Sequence, residues 1–267
     1  MAGIGSKEAE LIAHLSDKRK RVFSIAEAAE FMGVSRTSAS DLALRLLKKK
    51  KLIKIEKAKY LIVPLEAWKT GEYTEEGIIL ASQIVKPYYI SYWTALSFYG
   101  WTEQPSRTIF IATTKPKKTI ELQGTNFKFV RLRPNRFFGF NEQWVGNQKV
   151  SVADKEKTIV DCLDQPRYCG EIIEAVKGIW NGRQELSFEK IIEYACIMNN
   201  GAIIKRLGFL MDVLEIHKPK LRKKMKENIT SGYVALDPCS NVNGAHNKEW
   251  NLRINVNVKN LTEWRTH

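Results

Sequence analysis

The stretch SIAEAAEFMGVSRTSASDLALRL, residues 24 to 46, has the sequence pattern of a helix-turn-helix. Its first serine is a candidate N-cap for a short helix whose apolar residues recur at helical spacing. Gly33 supplies the positive φ that ends such a helix in a tight turn. Ser35 is the candidate cap of a second helix, which we expect to run from about Arg36 to Lys50.

The first half of this second helix has polar side chains on its outer side. In a helix-turn-helix, that half enters the major groove of DNA. We therefore predict base or near-base contacts from this half, and phosphate contacts from the basic residues that follow. The predicted base-contacting residues are Arg36, Thr37, Ser38 and Ser40, and the full predicted DNA-binding set adds Arg45, Lys48, Lys50, Lys54, Lys57 and Lys59. An ordinary helical hairpin with a solvated polar face would have the same pattern.

The segment LIKIEKAKYLIVP, residues 52 to 64, predicts a β-hairpin directly after the helix pair. Apolar residues indicate two short strands that are separated by a tight basic connection. Before the helix pair, SKEAELIAHL predicts a further helix capped by Ser6. A helix-turn-helix followed by a hairpin is the element order of a winged helix. We expect a winged helix DNA-binding domain at residues 1–70.

The charge of the chain indicates a polyanionic partner. The 267 residues carry a formal net charge of +14, and residues 1–70 contain 15 Lys and Arg against 8 Asp and Glu. No apolar run approaches the ~18 residues of a spanning helix, and the N-terminus lacks the apolar segment of a signal peptide. We therefore expect a cytoplasmic protein that binds double-stranded DNA and no membrane.

The rest of the chain predicts a second, larger domain of mixed α/β type at residues 75–267, after a connection at 65–75. The fold class expected for the whole chain is thus α/β (α+β). The predicted elements are helices at Glu75–Val85, at Tyr92–Tyr99 capped by Ser91, after Asp154 and across 170–229, and strands at Thr108–Ala112, Phe127–Leu132, Tyr233–Asp237 and Trp250–Val258. The last two strands flank a polar loop and are expected to complete the sheet of this domain.

A second basic region lies at residues 115–136, which hold seven basic residues and one acidic residue. Alternation in the strand at 127–132 is expected to place its Lys and Arg on one face. We predict a secondary basic surface for nucleic acid or for an acidic protein, formed by Lys115, Lys117, Lys118, Lys128, Arg131 and Arg133. A sheet face that only keeps the protein soluble is the alternative.

Three motifs carry a resemblance to a known family. They are YISYWTALSFYGWTEQ at 89–104, TIFIATT at 108–114 and VADKEKTIVDCLDQP at 152–166. Together with the preceding helix pair, they resemble the AbiEi-type antitoxins of abortive-infection (type IV toxin–antitoxin) systems. Members join a winged helix to an antitoxin domain, repress their own operon by binding inverted repeats, and counteract the nucleotidyltransferase-like toxin AbiEii. The resemblance implies these roles here, and inverted repeats suit a dimer or a cooperative pair of monomers.

Two other classes of function are kept as alternatives: a DNA-targeted nuclease-like enzyme and a protein-binding adaptor built on a winged helix. The acids around Asp154 and Glu156 lie beside lysines and fit a Mg²⁺ site, but such a site needs carboxylates from separate strands. Asp154 as a helix cap explains the same residues. Cys162, Cys169, Cys196 and Cys239 have no metal-ligand spacing and core-like surroundings. We expect reduced thiols, no metal, no cofactor and no catalytic activity.

Overall fold

The computed structural model describes residues 3–18, 20–63, 77–122 and 124–266 of a mixed α/β protein. The predicted α/β class is therefore confirmed. The chain divides into two compact units: unit 1 is residues 1–86 with 120–123, and unit 2 is residues 87–119 with 124–267. The predicted connection at 65–75 lies outside the described residues. Among the described residues, no helix is both long enough and apolar enough to cross a lipid bilayer.

Unit 1 contains the predicted helix pair and hairpin. Between residues 1 and 86, its described helices and strands are α1 (Ser6–Asp17), β1 (Val22–Ser24), α2 (Ile25–Met32), α3 (Arg36–Lys48), β2 (Leu52–Glu56), β3 (Lys59–Ile62) and α4 (Gly77–Ile84). The strands form an antiparallel sheet in the order β1-β3-β2. Strand β1 is absent from the sequence-based prediction, because three residues are too few to show a periodicity and only the pairing with β3 defines the strand.

The turn between α2 and α3 is fixed by local hydrogen bonds. Ser24 and Glu27 form a capping box: the Glu27 N–H donates to Ser24 Oγ at 3.3 Å, and the Ser24 N–H donates to Glu27 Oε2 at 2.7 Å. Gly33 ends α2 with a φ of 60°. Ser35 caps α3 by accepting from the Ser38 N–H at 3.1 Å. The predicted caps of the helix pair are confirmed.

Two predictions at the ends of unit 1 are corrected. Ser6 is the first residue of α1 rather than its cap; Gly5 takes the cap position and donates its N–H to Glu8 Oε2 at 2.9 Å. The helix predicted at Glu75–Val85 is described as α4, which belongs to unit 1 and not to the second domain. The contacts of α4 explain this, since Gln83 Oε1 accepts hydrogen bonds from two backbone N–H groups at the start of β1.

Unit 2 is built around a mixed sheet, in which the strands of this unit lie in the order β7-β5-β4-β9-β8. Strands β5 and β7 pair in parallel, as do β4 and β9, whereas β4–β5 and β8–β9 are antiparallel. These strands are β4 (Tyr89–Ile90), β5 (Thr108–Thr113), β7 (Thr125–Arg131), β8 (Phe140–Val145) and β9 (Gln148–Ala153). Strand β6 (Ile120–Leu122) lies between β5 and β7 in the chain and is counted with unit 1. Strands β5 and β7 confirm the two strands predicted in this region.

Helices make up most of the remainder of unit 2. They are α5 (Tyr92–Phe98), α6 (Lys155–Asp164), α7 (Glu171–Gly182), α8 (Phe188–Met198), α9 (Gly201–Val213) and α10 (Pro219–Glu227). Short 3₁₀ turns lie at Pro134–Arg136, Pro166–Tyr168, Lys259–Leu261 and Glu263–Thr266. The predicted helical character of residues 170–229 is confirmed.

The prediction that the terminal strands complete the main sheet is wrong. Strands β10 (Val234–Ala235), β11 (Ala245–Asn247) and β12 (Leu252–Ile254) form a separate sheet in the order β10-β12-β11. Strand β11 lies inside the predicted polar loop. It forms through backbone pairing with β12, and Asn247 Oδ1 accepts the Trp250 N–H at 2.9 Å to close the turn. Such pairing needs no apolar alternation, so the sequence pattern does not show it.

Helix α6 carries a fully buried ionic network in the core of unit 2. Lys157 and Asp161 are 0 % exposed and form an ion pair one helical turn apart. Asp161 Oδ2 also accepts from Tyr89 Oη at 3.0 Å and from Ser91 Oγ at 2.7 Å. Ser91 occupies the predicted cap position of α5, but its hydroxyl makes no capping hydrogen bond with that helix. Burial raises the pKa of Asp161 above its ordinary value, although Lys157 and the hydrogen bonds act in the opposite direction.

Candidate nucleic-acid interface

Helix α3 has a clear division between a buried and an exposed side. Its buried residues are Ala39, Leu42, Ala43 and Leu46. At 3.6 residues per turn, the opposite direction is centred on a stripe of exposed residues. These residues are Thr37, Asp41, Leu44 and Lys48. The stripe runs nearly the whole length of α3, and Leu44 is its apolar member, with 45 % of its surface exposed.

The residues predicted to contact bases are only partly on this stripe. Thr37 is the first member of the stripe, whereas Arg36 and Ser38 lie on its two flanks, and all three are exposed. Ser40 is half-buried. The Ser38 hydroxyl lies 3.0 Å from that of Ser35, the capping residue, so it already has a hydrogen-bond partner within the helix.

Sequence reasoning left Asp41 and Leu44 out of the predicted site. Asp41 is acidic and Leu44 is apolar, whereas the prediction selected basic and hydroxyl residues. The signal that would have found them is the helical angle, since both lie opposite the buried alanines and leucines.

Five of the predicted cations are exposed and make no ion pair or side-chain hydrogen bond with any residue that the structure describes. We call them the unpaired cations: Arg36, Lys48, Lys50, Lys54 and Lys57. Arg36 flanks the exposed stripe of α3 and Lys48 belongs to it. Lys50 follows that helix, and the other two lysines lie on the β2–β3 hairpin. Lys57 is at the tip of the hairpin, next to Ala58 with its φ of 57°. No described residue therefore compensates the charges of these five side chains, and their role in DNA binding stays a prediction.

Two other predicted cations are engaged inside unit 1. Arg45 Nε lies 3.4 Å from Glu8 Oε1. Lys59 Nζ donates to the backbone carbonyl of Ile84 at 2.6 Å and lies 3.8 Å from Glu56 Oε1. Their charges therefore contribute first to the internal structure of unit 1.

The acidic residues that neutralise part of this region are held in their ionised form. A hydrogen bond from Lys49 and one from the Gly5 N–H lower the pKa of Glu8 below its usual value. Partial burial alone would raise the pKa of Glu27, but hydrogen bonds from Lys20 and Ser24 lower it overall. Both carboxylates thus remain negative at neutral pH and hold basic side chains in place.

The predicted secondary basic surface is not a single face. Lys128 and Arg131 lie three residues apart on β7, and side chains alternate along a strand, so they point to opposite faces of the sheet. The prediction that they share one face is wrong. Lys117 Nζ lies 5.5 Å from the centre of the Phe129 ring and is half-buried. The remaining members of the predicted set, Lys115, Lys118 and Arg133, are exposed.

The acids considered for a nuclease site are engaged in internal contacts. Asp154 caps α6 by accepting from the Lys157 N–H at 2.7 Å. Its other carboxylate oxygen lies 3.0 Å from Lys190 Nζ and accepts from Tyr194 Oη at 2.8 Å. Glu156 lies 2.9 Å from the same Lys190 ammonium. These contacts favour the helix-capping interpretation of Asp154.

No group of three or more His, Cys, Asp or Glu residues suited to a metal ion occurs within the described ranges. All four cysteines are free thiols. Cys162 and Cys169 are buried as expected, whereas Cys196 and Cys239 are exposed, which corrects the expectation of core surroundings for these two. Cys196 lies on the exposed side of α8, away from the buried residues of that helix.

Comparison with known proteins gives a structural relationship and no family. No protein-family model matches the chain, and no curated protein matches it either. One solved structure that does match is the crystal structure of the RV2827C protein from Mycobacterium tuberculosis, with a TM-score of 0.67. The match covers 100 % of this chain and 97 % of that chain, at 13 % sequence identity. The two chains share one fold.

Proposed function

We propose that unit 1 is a winged helix that binds duplex DNA in a sequence-specific manner, and that the protein represses its own operon. The observation that carries this proposal is the exposed stripe of α3 together with the unpaired cations around it. An exposed helix of this kind fits the major groove, which is wide enough to admit one α-helix. The element order of unit 1 supports the winged-helix part of the proposal, in which β2 and β3, directly after the helix pair, would form the wing.

The unpaired cations suit a phosphate backbone better than a neutral partner. A lysine without an internal partner gains a fixed counter-charge when a polyanion binds, and each phosphate that it neutralises releases condensed counterions. The excess charge of the whole chain, +14, acts in the same direction over longer range. A repressor that binds its own operator would act in the cytoplasm.

The antitoxin part of the proposal rests on the resemblance of three motifs to AbiEi-type antitoxins, all of which fall in unit 2. The implied partner is a nucleotidyltransferase-like toxin of the same system. Co-expression of such a toxin with the full chain in a growth assay tests this role. Growth that is restored by the chain supports it, and growth that stays arrested despite equal expression of the chain contradicts it.

DNA binding is tested separately by gel shift and footprinting on the DNA upstream of the gene, against random duplex at ~150 mM salt. We expect protection of an inverted repeat and a clear margin of affinity over random DNA. Arg36→Ala should reduce that margin, because an arginine that contacts a base edge contributes to discrimination. Lys248→Ala, which removes an exposed lysine from unit 2, is the charge-matched control and should leave the margin unchanged.

Two results would overturn the repressor proposal. Equal and weak affinity for all sequences would mean that the basic surface is a general electrostatic one. Negligible affinity for any duplex would favour the protein-binding adaptor instead.

A further inference from the structure

The centre of the exposed stripe on α3 is occupied by two side chains that do not suit phosphate. Asp41 is exposed, and it makes no ion pair or hydrogen bond through its side chain with any described residue. Leu44 follows three residues later and is 45 % exposed. A carboxylate repels a phosphate backbone, and an isobutyl group offers it no hydrogen bond. Their position between cationic residues therefore needs an explanation other than charge.

The surroundings of Leu44 differ from the centre of a typical protein-binding surface. Such a centre is built from clustered aromatic and apolar side chains. Among the described residues of unit 1, Leu44 is the large apolar side chain that stands exposed, and its neighbours on the stripe are Thr37, Asp41 and Lys48. A single exposed apolar group surrounded by polar ones matches a single apolar group on the partner.

The edges of the bases in the major groove offer partners for both side chains. Cytosine presents its N4 amino group as a donor, and thymine presents its C5 methyl group. We propose that Asp41 accepts a hydrogen bond from a cytosine N4 amino group, and that Leu44 packs on the C5 methyl group of a thymine at a neighbouring base pair. This assignment rests on the proposed function of unit 1 and names the bases that it reads.

The spacing of the two residues agrees with neighbouring base pairs. Three residues along a helix correspond to a rise of about 4.5 Å, whereas successive base pairs are separated by about 3.4 Å. A helix that lies obliquely in the groove thus brings Asp41 and Leu44 to adjacent or next-adjacent pairs. Asp41 has a second effect, since its charge weakens binding wherever no cytosine donor faces it.

The test uses the full chain and the operator found by footprinting. Each thymine in the protected region is replaced in turn by deoxyuridine, which removes only the C5 methyl group. At one position, this replacement should weaken binding by wild-type protein about four-fold, which corresponds to one buried methyl group. Leu44→Ala should bind the thymine and uracil operators equally. Ile197→Ala removes the same number of atoms from an exposed position of α8 and should behave as wild type.

The Asp41 part of the proposal is tested by base substitution at each cytosine of the same region. At one position, wild-type protein should prefer cytosine by about ten-fold. In Asp41→Asn, this preference should move to adenine, because an asparagine amide pairs with N6 and N7 of adenine. Thermal unfolding of each variant checks that the fold is unchanged, as expected for exposed positions.

The possible failures are distinguishable. Specific binding to the operator with equal affinity for thymine and uracil at every position overturns the role of Leu44 and leaves the repressor proposal intact. An unchanged base preference in Asp41→Asn overturns the role of Asp41 in the same way. If wild-type protein prefers no sequence at all, the proposed function itself fails, and this inference fails with it.

Discussion

The Lys49 ammonium lies 2.6 Å from the Glu8 carboxylate and 2.8 Å from the Gly3 carbonyl, and so ties the end of α3 to the start of α1. Its neighbour Lys48 is exposed and has no such partner among the described residues. Two adjacent lysines of the same basic run therefore have different tasks. One holds the orientation of α3, and the other is available to DNA.

Glu8→Gln should lower the free energy of unfolding of the protein at neutral pH by about 1.5–3 kcal/mol, the range for a hydrogen bond to a charged group. Glu8 is buried, and its carboxylate accepts from Lys49 and from the Gly5 N–H. Because the pKa of Glu8 is lowered in the folded protein, its contribution is complete above about pH 4.5 and is lost as the pH falls through the folded pKa. Urea denaturation of wild type and variant between pH 3 and pH 7 measures this difference. A difference that stays constant over that range would contradict the ionic role.

Lys57→Ala and Lys59→Ala should have different effects although they lie on the same hairpin. Lys57 is unpaired, so its loss should weaken binding to all DNA sequences alike and reduce the slope of log K against log salt by about 0.9. Lys59 donates to the Ile84 carbonyl, so its loss should leave the slope unchanged and lower stability instead. Titrations at several salt concentrations measure both slopes. Equal slope changes for the two variants would show that the internal contact of Lys59 does not keep it from DNA.

Lys157→Met should destabilise unit 2 by about 3–5 kcal/mol, because it leaves the Asp161 carboxylate buried without its counter-charge. The pKa of Asp161 should rise further in this variant, so the loss should shrink as the pH is lowered and the carboxyl takes up a proton. The double variant Lys157→Met, Asp161→Leu should recover much of the loss. Lys155 lies on the same helix as Lys157 and forms an exposed ion pair with Glu185, so Lys155→Met is the matched control, with an expected cost of about 0–1 kcal/mol. Equal costs for Lys155→Met and Lys157→Met in denaturant would contradict this account.

The local features of unit 1 are predictable from sequence because they depend on neighbours in the chain. The Ser24 and Ser35 caps, the Gly33 turn and the apolar spacing of α2 and α3 all act over a few residues. The availability of a lysine is different. Lys59 is engaged because α4, far along the chain, brings the Ile84 carbonyl to it. No local pattern contains that information.

The same limit explains the errors in unit 2. Ser91 has the residue type and position of a helix cap, but its hydroxyl donates to the buried Asp161 carboxylate and accepts no N–H from the helix. Strand β11 is polar and forms only because β12 lies beside it. The prediction that Lys128 and Arg131 lie on one face of the sheet is wrong for a simpler reason. Two residues separated by an odd number of positions along a strand point to opposite faces.

Strand β1 is an edge strand of the sheet in unit 1, because the order is β1-β3-β2. At its start, Gln83 Oε1 accepts from the N–H groups of Arg21 at 2.8 Å and Val22 at 2.9 Å. Unsatisfied N–H groups on an edge strand are a template for pairing with another chain, which leads to aggregation. The Gln83 amide thus blocks the addition of another strand at the beginning of this edge. Unit 1 can therefore present an exposed basic helix without leaving these two edge N–H groups open to pairing with another chain.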